Sequence, residues 1–274
     1  MVLCSPCKRK VACSIHAGGT IWTNRFSYGA CYTLMPDIAI CYWGLSRSTK
    51  HVYKSHHQHI FNVLKNAGLT YDTYFHTWDV KVNLIWGDVS PIIPDPEEYK
   101  LLEPTVYKVE SQDDFLKSII FSDFFYQEAW DKYGDTRSPG GEWPACLIRN
   151  YLCALESQKR VTDMMTESGN LYKFVLYVRP DVEIETPFPF KILSEIGFRC
   201  IGIPDFDHYE GYNDRGCIVR FEDCAFYAKR IDEIKEFRKY HGRIVSEKYT
   251  KFIVDKYFKM IPMQFIFTII RPKA

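Results

Sequence analysis

Residues 173–184 read KFVLYVRPDVEI, an apolar run from Phe174 to Val178 that turns abruptly charged at Arg179. Five apolar residues in a row, with none of the alternation of a half-solvated strand, predict a strand covered on both faces. We read the whole segment as one strand, with Pro180 holding Arg179 extended and delivering Asp181 at the rim of the sheet. On its N-terminal side, Leu147, Leu152, Leu155 and Met164/Met165 mark the inner stripe of a helix from about Trp143 to Ser168, ended by Gly169. Beyond it come a short strand at 200–204 (CIGIP), a loop rich in Asp, Tyr and Gly at 205–216, and a charged helix near 230–241. A helix at roughly 246–258 and a strand at 263–270 close the chain.

Earlier in the chain, DIAICYW at 37–43 predicts a strand followed by Gly44 and by Ser46 as an N-cap. Val52, His56, His59/Ile60 and Val63/Leu64 recur at helical spacing from about Ser48 to Asn66, and Gly68 sits where a C-cap belongs. YDTYFHTWDV at 71–80 predicts a second strand, parallel to the first through a right-handed crossover. A Pro-rich loop follows at 91–104, then a helix capped by Ser111 and Asp114 and carrying Phe115, Ile119 and Phe124/Phe125; Pro139-Gly140-Gly141 breaks the chain. Strands alternating with helices give the fold class: α/β, a mostly parallel central sheet flanked by helices.

The chain of 274 residues is 46% hydrophobic and 25% charged, which excludes wholesale disorder and a membrane bundle. Its net charge of +1 conceals a division, because residues 1–71 hold eight Lys and Arg against the single acid Asp37, a local charge of +7. Such a segment faces something anionic. No apolar stretch reaches the ~18 residues of a membrane span, and no signal-peptide core precedes the domain, so a reduced cytoplasmic setting is expected. Residues 1–34 form an extension to the domain at 35–274. Within it Cys4, Cys7, Cys13 and His16 have a C-x2-C-x5-C-x2-H spacing that zinc can use, although short Cys spacings also arise by accident. The remaining cysteines sit mostly in apolar runs.

In open parallel sheets ligands bind beyond the carboxyl ends of the strands. Three such ends carry chemistry. Gly44-Leu45-Ser46-Arg47 combines a flexible backbone, a helix N-terminus and a guanidinium, an arrangement suited to phosphate. His76-Thr77-Trp78-Asp79 supplies an imidazole and an indole, with a core role as the competing reading for His76. Arg179-Pro180-Asp181 runs on into Glu183 and Glu185, acids that require either Lys/Arg partners or a divalent cation. His56, His57 and His59 read as the exposed face of their helix. The loop from Asp205 to Arg215 adds Asp205, Asp207 and Asp214 as candidate bases or cation ligands and Phe206, Tyr209 and Tyr212 as candidate sugar-stacking rings. No Walker A, G-x-G-x-x-G, H-E-x-x-H or G-x-S-x-G motif occurs.

In order, the strand ends Gly44-x-x-Arg47, the strand Tyr71 to Trp78, Arg179-Pro180-Asp181 and Asn213-Asp214-Arg215 resemble the GT-A-like glycosyltransferases of bacteria and large DNA viruses, in particular those encoded by chloroviruses. The likeness spans about residues 37–230. It implies a GT-A-like domain that transfers a sugar, xylose among the candidates, from a nucleotide sugar, a UDP-sugar foremost, to a hydroxyl of a glycan or glycoprotein acceptor. It places Gly44, Arg47, His76, Trp78, Arg179 and Asp181 around the donor, Asp214 or Asp207 as the base of an inverting transfer, and Asp205, Tyr209 and Tyr212 on the acceptor side. Arg179 and Asp181 fall at the family's Asp-x-Asp position with its first carboxylate replaced. Asp181, with Glu183 as a second carboxylate, is the expected ligand of Mg²⁺ or Mn²⁺, and Arg179 is an alternative neutraliser of the diphosphate.

Two rivals have their own signatures. A metal-dependent phosphodiesterase or nuclease would gather Asp181, Glu183, Asp205 and Asp207. A non-catalytic carbohydrate- or nucleic-acid-binding protein would use the basic first quarter, but its cations are not interleaved with an aromatic stacking surface, so no nucleic-acid partner is expected.

Overall fold

A computed structural model describes residues 36–80, 83–85, 88–92, 95, 97–126, 131 and 143–271. The candidate zinc spacing of Cys4, Cys7, Cys13 and His16 and the break at 139–141 lie outside the described residues. The strands are β1 (Ile38–Trp43), β2 (Tyr71–Asp79), β3 (Asn83–Ile85), β4 (Asp88–Ile92), β5 (Val106–Ser111), β6 (Phe174–Val178), β7 (Val182–Ile184), β8 (Cys200–Pro204), β9 (Gly216–Arg220), β10 (Lys259–Met263) and β11 (Phe267–Ile269). Seven of them form the central sheet in the order β10-β8-β9-β6-β1-β2-β5. All neighbours are parallel except those of β9, which runs antiparallel to both β6 and β8. The α/β class, the mostly parallel sheet and the flanking helices expected of a GT-A-like domain are all present.

Period-two alternation explains the two cores that lie against the faces of β1 and β6. Ile38, Ile40 and Tyr42 of β1 join Leu176 and Val178 of β6 on one face. That face packs against Ile60, Phe61 and Leu64 of the helical run α1 (Thr49–His56), a π-helical segment (His57–Phe61) and α2 (Asn62–Asn66). Ala39, Cys41 and Trp43 point the other way with Val175 and Tyr177, toward Val161 and Met165. After α3 (Gln112–Ser118), whose N-cap Ser111 Oγ accepts the Asp114 N–H, the long helix α4 (Ala145–Glu167) supplies that second layer. It is joined by α5 (Cys224–Ala228), α6 (Ile234–His241) and α7 (Ser246–Tyr257).

Four expectations need correction. The segment 173–184 is two strands, because Pro180 has no N–H for a ladder and the chain turns at Asp181; β7 leaves the sheet and pairs antiparallel with β11. The strand expected at 263–270 is confined to β11 in that ribbon, and the sheet strand β10 precedes it at 259–263. The edge strand β5 escapes a hydrophobic pattern because its residues are exposed or half-buried, Val106 and Tyr107 among them. His56 belongs to the core: where the π segment begins, its imidazole is fully buried, Nε2 donates to the Val182 carbonyl (2.8 Å), and Nδ1 accepts from the Tyr42 hydroxyl (3.2 Å). Burial lowers its pKa to about 4.

Candidate active site

At the carboxyl edge of β1, β2 and β6 lies a cavity of about 290 Å³. Its entry from β1 is set by Gly44, whose φ of +94° is a left-handed conformation that disfavours any side chain. The Gly44 N–H donates to Ser157 Oγ (2.8 Å) on α4. Backbone bonds then stitch the other segments together. Ser48 Oγ donates to the Ile270 carbonyl, and the Ile270 N–H donates to the Asp181 carbonyl (2.9 Å). The Arg179 N–H donates to the Arg215 carbonyl (3.3 Å). Four guanidiniums, those of Arg47, Arg179, Arg215 and Arg271, therefore line one cavity although they come from four separate stretches of chain.

Asp181 sits among them, 2% exposed. Arg179 binds it through two parallel bonds, Nε to Oδ1 (2.8 Å) and Nη2 to Oδ2 (2.7 Å), and Arg47 Nη2 adds a third at 3.2 Å. Burial alone would raise the Asp181 carboxyl, but Arg179 first and Arg47 second outweigh it and hold the pKa down at about 2. The sequence offered cationic side chains or a divalent cation as compensation, and here guanidiniums supply it. The donor set does not fit Mg²⁺ or Mn²⁺. Both Asp181 oxygens already accept N–H bonds. Glu183 is exposed and does not line the cavity, and the described residues hold no cluster of three potential metal ligands.

Acidic groups enter from the loop before β9 and from the start of α7. Asp214, 8% exposed, and Glu247 both line the cavity. Burial, reinforced by the charge of Asp214, raises Glu247 to about pKa 6, while a bond from Ser246 and the charge of Arg215 pull the other way. The contact is fixed at Gly211, where a Cβ would lie 2.0 Å from the Glu247 carbonyl oxygen, and the Tyr212 N–H donates to that same oxygen (3.0 Å).

The other loop residues are placed elsewhere. Asp207, 41% exposed, is held by Arg215; Asp205 faces His208 and Gln264; Tyr209 is 60% exposed; Tyr212 packs under Lys251. None of the four lines the cavity. The constellation a nuclease would need is thus dispersed, and Asp207 is a partner of Arg215 at the rim.

From β2, Trp78 lines the cavity and donates Nε1–H to the Cys153 carbonyl (2.9 Å). His76 lies behind it, fully buried, with Nε2 on Glu110 (3.1 Å) and Nδ1 on Ser157 Oγ (2.8 Å). Burial lowers its pKa to about 4. Through Ser157 Oγ it is linked to the Gly44 N–H. Trp43, 2% exposed, lines the cavity, and neither its Nε1–H nor Arg47 Nε has a hydrogen-bond partner among the described residues. Sequence reasoning passed over Glu247 and Arg271. A first-turn glutamate reads as an ordinary complement to the helix dipole, and Arg271 follows a strand whose ribbon pairing had no sequence signal.

No family model matches the sequence, and no curated protein matches it. Among solved structures, the apo form of the glycosyltransferase GlyE of Streptococcus pneumoniae TIGR4 is similar at 11% identity and a TM-score of 0.40, over 83% of this chain and 45% of that one. This chain therefore spans less than half the length of GlyE. Mouse xyloside xylosyltransferase 1, apo form, is similar at 10% identity and a TM-score of 0.39, over 82% of this chain and 84% of that one.

Proposed function

We propose that the cavity binds a nucleotide sugar, a UDP-sugar in the first instance, and transfers its sugar to a hydroxyl of a glycan acceptor. One observation carries the reading: an arginine cluster, three tryptophans and an Asp–Glu pair share one cavity at the carboxyl edge of a mostly parallel sheet. Arg47 and Arg179 face the diphosphate, and the half-buried indole of Trp143 offers flat apolar surface to the base or the sugar, while the buried Trp43 and Trp78 wall the cavity. The reaction balances as a displacement. The acceptor oxygen bonds to the sugar's C1, the C1–O bond to the diphosphate breaks with its electron pair leaving on the phosphate oxygen, and the hydroxyl proton passes to the carboxylate pair.

Asp214 is the base, with Glu247 beside it. Burial and the charge of Asp214 make Glu247 take up a proton more readily than an ordinary glutamate. Positioned proton transfer of this kind contributes about 10²–10⁴-fold. Xylose as the sugar rests on the sequence resemblance alone.

A thermal-shift screen of the full chain against UDP-, GDP- and CMP-sugars tests the reading, since a ligand that binds only the native state raises the melting temperature. A rise with one class of nucleotide sugar and none with DNA is expected. A rise with DNA alone would refute it.

A further inference from the structure

We infer that the diphosphate of the donor is held by guanidinium groups without a bridging divalent cation, and that Asp181 is the counter-ion that aims Arg47 and Arg179. This rests on the nucleotide-sugar reading and deepens it. A metal bridging Asp181 to phosphate oxygens needs carboxylate lone pairs directed into the cavity, and three N–H bonds from two arginines take three of the about four acceptor sites of that carboxylate. The second carboxylate that the sequence offered beside Asp181, Glu183, lies outside the cavity. The positive charge a metal would bring is already present in the protein: four guanidiniums line the cavity against the carboxylates of Asp181, Asp214 and Glu247.

The geometry also leaves donors for a ligand. Arg179 commits Nε and Nη2 to Asp181, Arg47 commits Nη2, and no bond within the described residues engages the buried Arg47 Nε or the Trp43 Nε1. Fixed guanidiniums suit a diphosphate that gains negative charge as the sugar departs, because their fork matches phosphate oxygens and their protonation does not change with pH. Asp181 holds the two like-charged groups together before the ligand arrives, so the site is organised in advance.

The test is calorimetric titration of the full chain with UDP and with GDP, first in EDTA and then with excess MnCl₂. One diphosphate is expected to bind in EDTA, and Mn²⁺ to leave its affinity within about threefold. Uridine or guanosine, lacking phosphate, is expected to bind at least about tenfold more weakly. Arg271→Gln, a change at an exposed side chain that leaves folding intact, is expected to weaken the diphosphate about tenfold and the nucleoside not at all. Affinity that rises tenfold or more with Mn²⁺ would overturn the metal-free site and leave the nucleotide-sugar reading standing. Failure of both diphosphates to bind in either condition would overturn that reading itself.

Discussion

Replacing Asp181 by Asn changes little in volume and removes the charge on which two arginines converge. In the native protein three N–H bonds, at 2.7, 2.8 and 3.2 Å, end on this carboxylate, and its guanidinium partners are only 22% and 13% exposed. Removing one partner of a buried ion pair costs about 3–5 kcal/mol. The Asn carbonyl still accepts one bond, which places the loss at the lower end, about 3 kcal/mol. The ionisation gives an independent figure. Depression of the carboxyl from its ordinary 3.8 to about 2 corresponds to about 2 kcal/mol of stability. A group whose pKa is depressed by folding contributes fully above its unfolded value. That part of the penalty is therefore present at pH 7 and fades as pH falls from about 4 to about 2. For a domain of this size a loss of 2–3 kcal/mol lowers Tm by roughly 4–12 °C. Urea and thermal denaturation of both proteins at pH 7, 4 and 2.5 measure the difference. Equal stability at pH 7, or a penalty that does not shrink toward the acid end, would refute the assignment of Asp181 as the counter-ion.

Three further outcomes follow from the geometry. His56 and His76 are held neutral with pKa values of about 4 against an ordinary 6.5, so the unfolded chain binds protons the native one refuses, and each contributes up to about 3 kcal/mol that is present above pH 6.5 and lost toward pH 4. The urea midpoint of the wild type is expected to fall across that window, and to fall less in His56→Gln; a flat profile would contradict both placements. Glu247→Gln is expected to move the acid limb of the pH–rate profile, near pH 6 in the wild type, to lower pH, and Asp214→Asn to reduce kcat by about 10²–10⁴-fold; an unshifted limb in Glu247→Gln would remove Glu247 from the proton-accepting pair. Gly211→Ala drives a methyl group against the Glu247 backbone and is expected to cost about 1–3 kcal/mol by urea denaturation, with kcat reduced as the loop carrying Asp214 is displaced.

What the sequence made legible was the part of the site that a parallel sheet assembles by itself. Strands running the same way deliver their ends to one edge, so Arg47 after β1, Trp78 on β2 and Arg179 after β6 had to meet once the alternation of strands and helices was read. The rest depends on contacts that carry no period. In the loop before β9, Asp207, Tyr209 and Glu210 adopt positive φ while Gly211 docks on α7, and Asp207 and Tyr209 come to lie outside the cavity while Asp214 lies within it. Glu247 and Arg271 arrive from the far end of the chain, through the start of a helix and a ribbon strand whose pairing with β7 follows from the break at Pro180. That break is the decisive case. Had residues 173–184 formed one strand, Asp181 and Glu183 would have shared a face as a pair of carboxylates. Because the chain turns at Pro180, Glu183 falls outside and Asp181 falls inward onto Arg47, 134 residues away in sequence, and the same three letters that suggested a metal ligand specify a counter-ion instead.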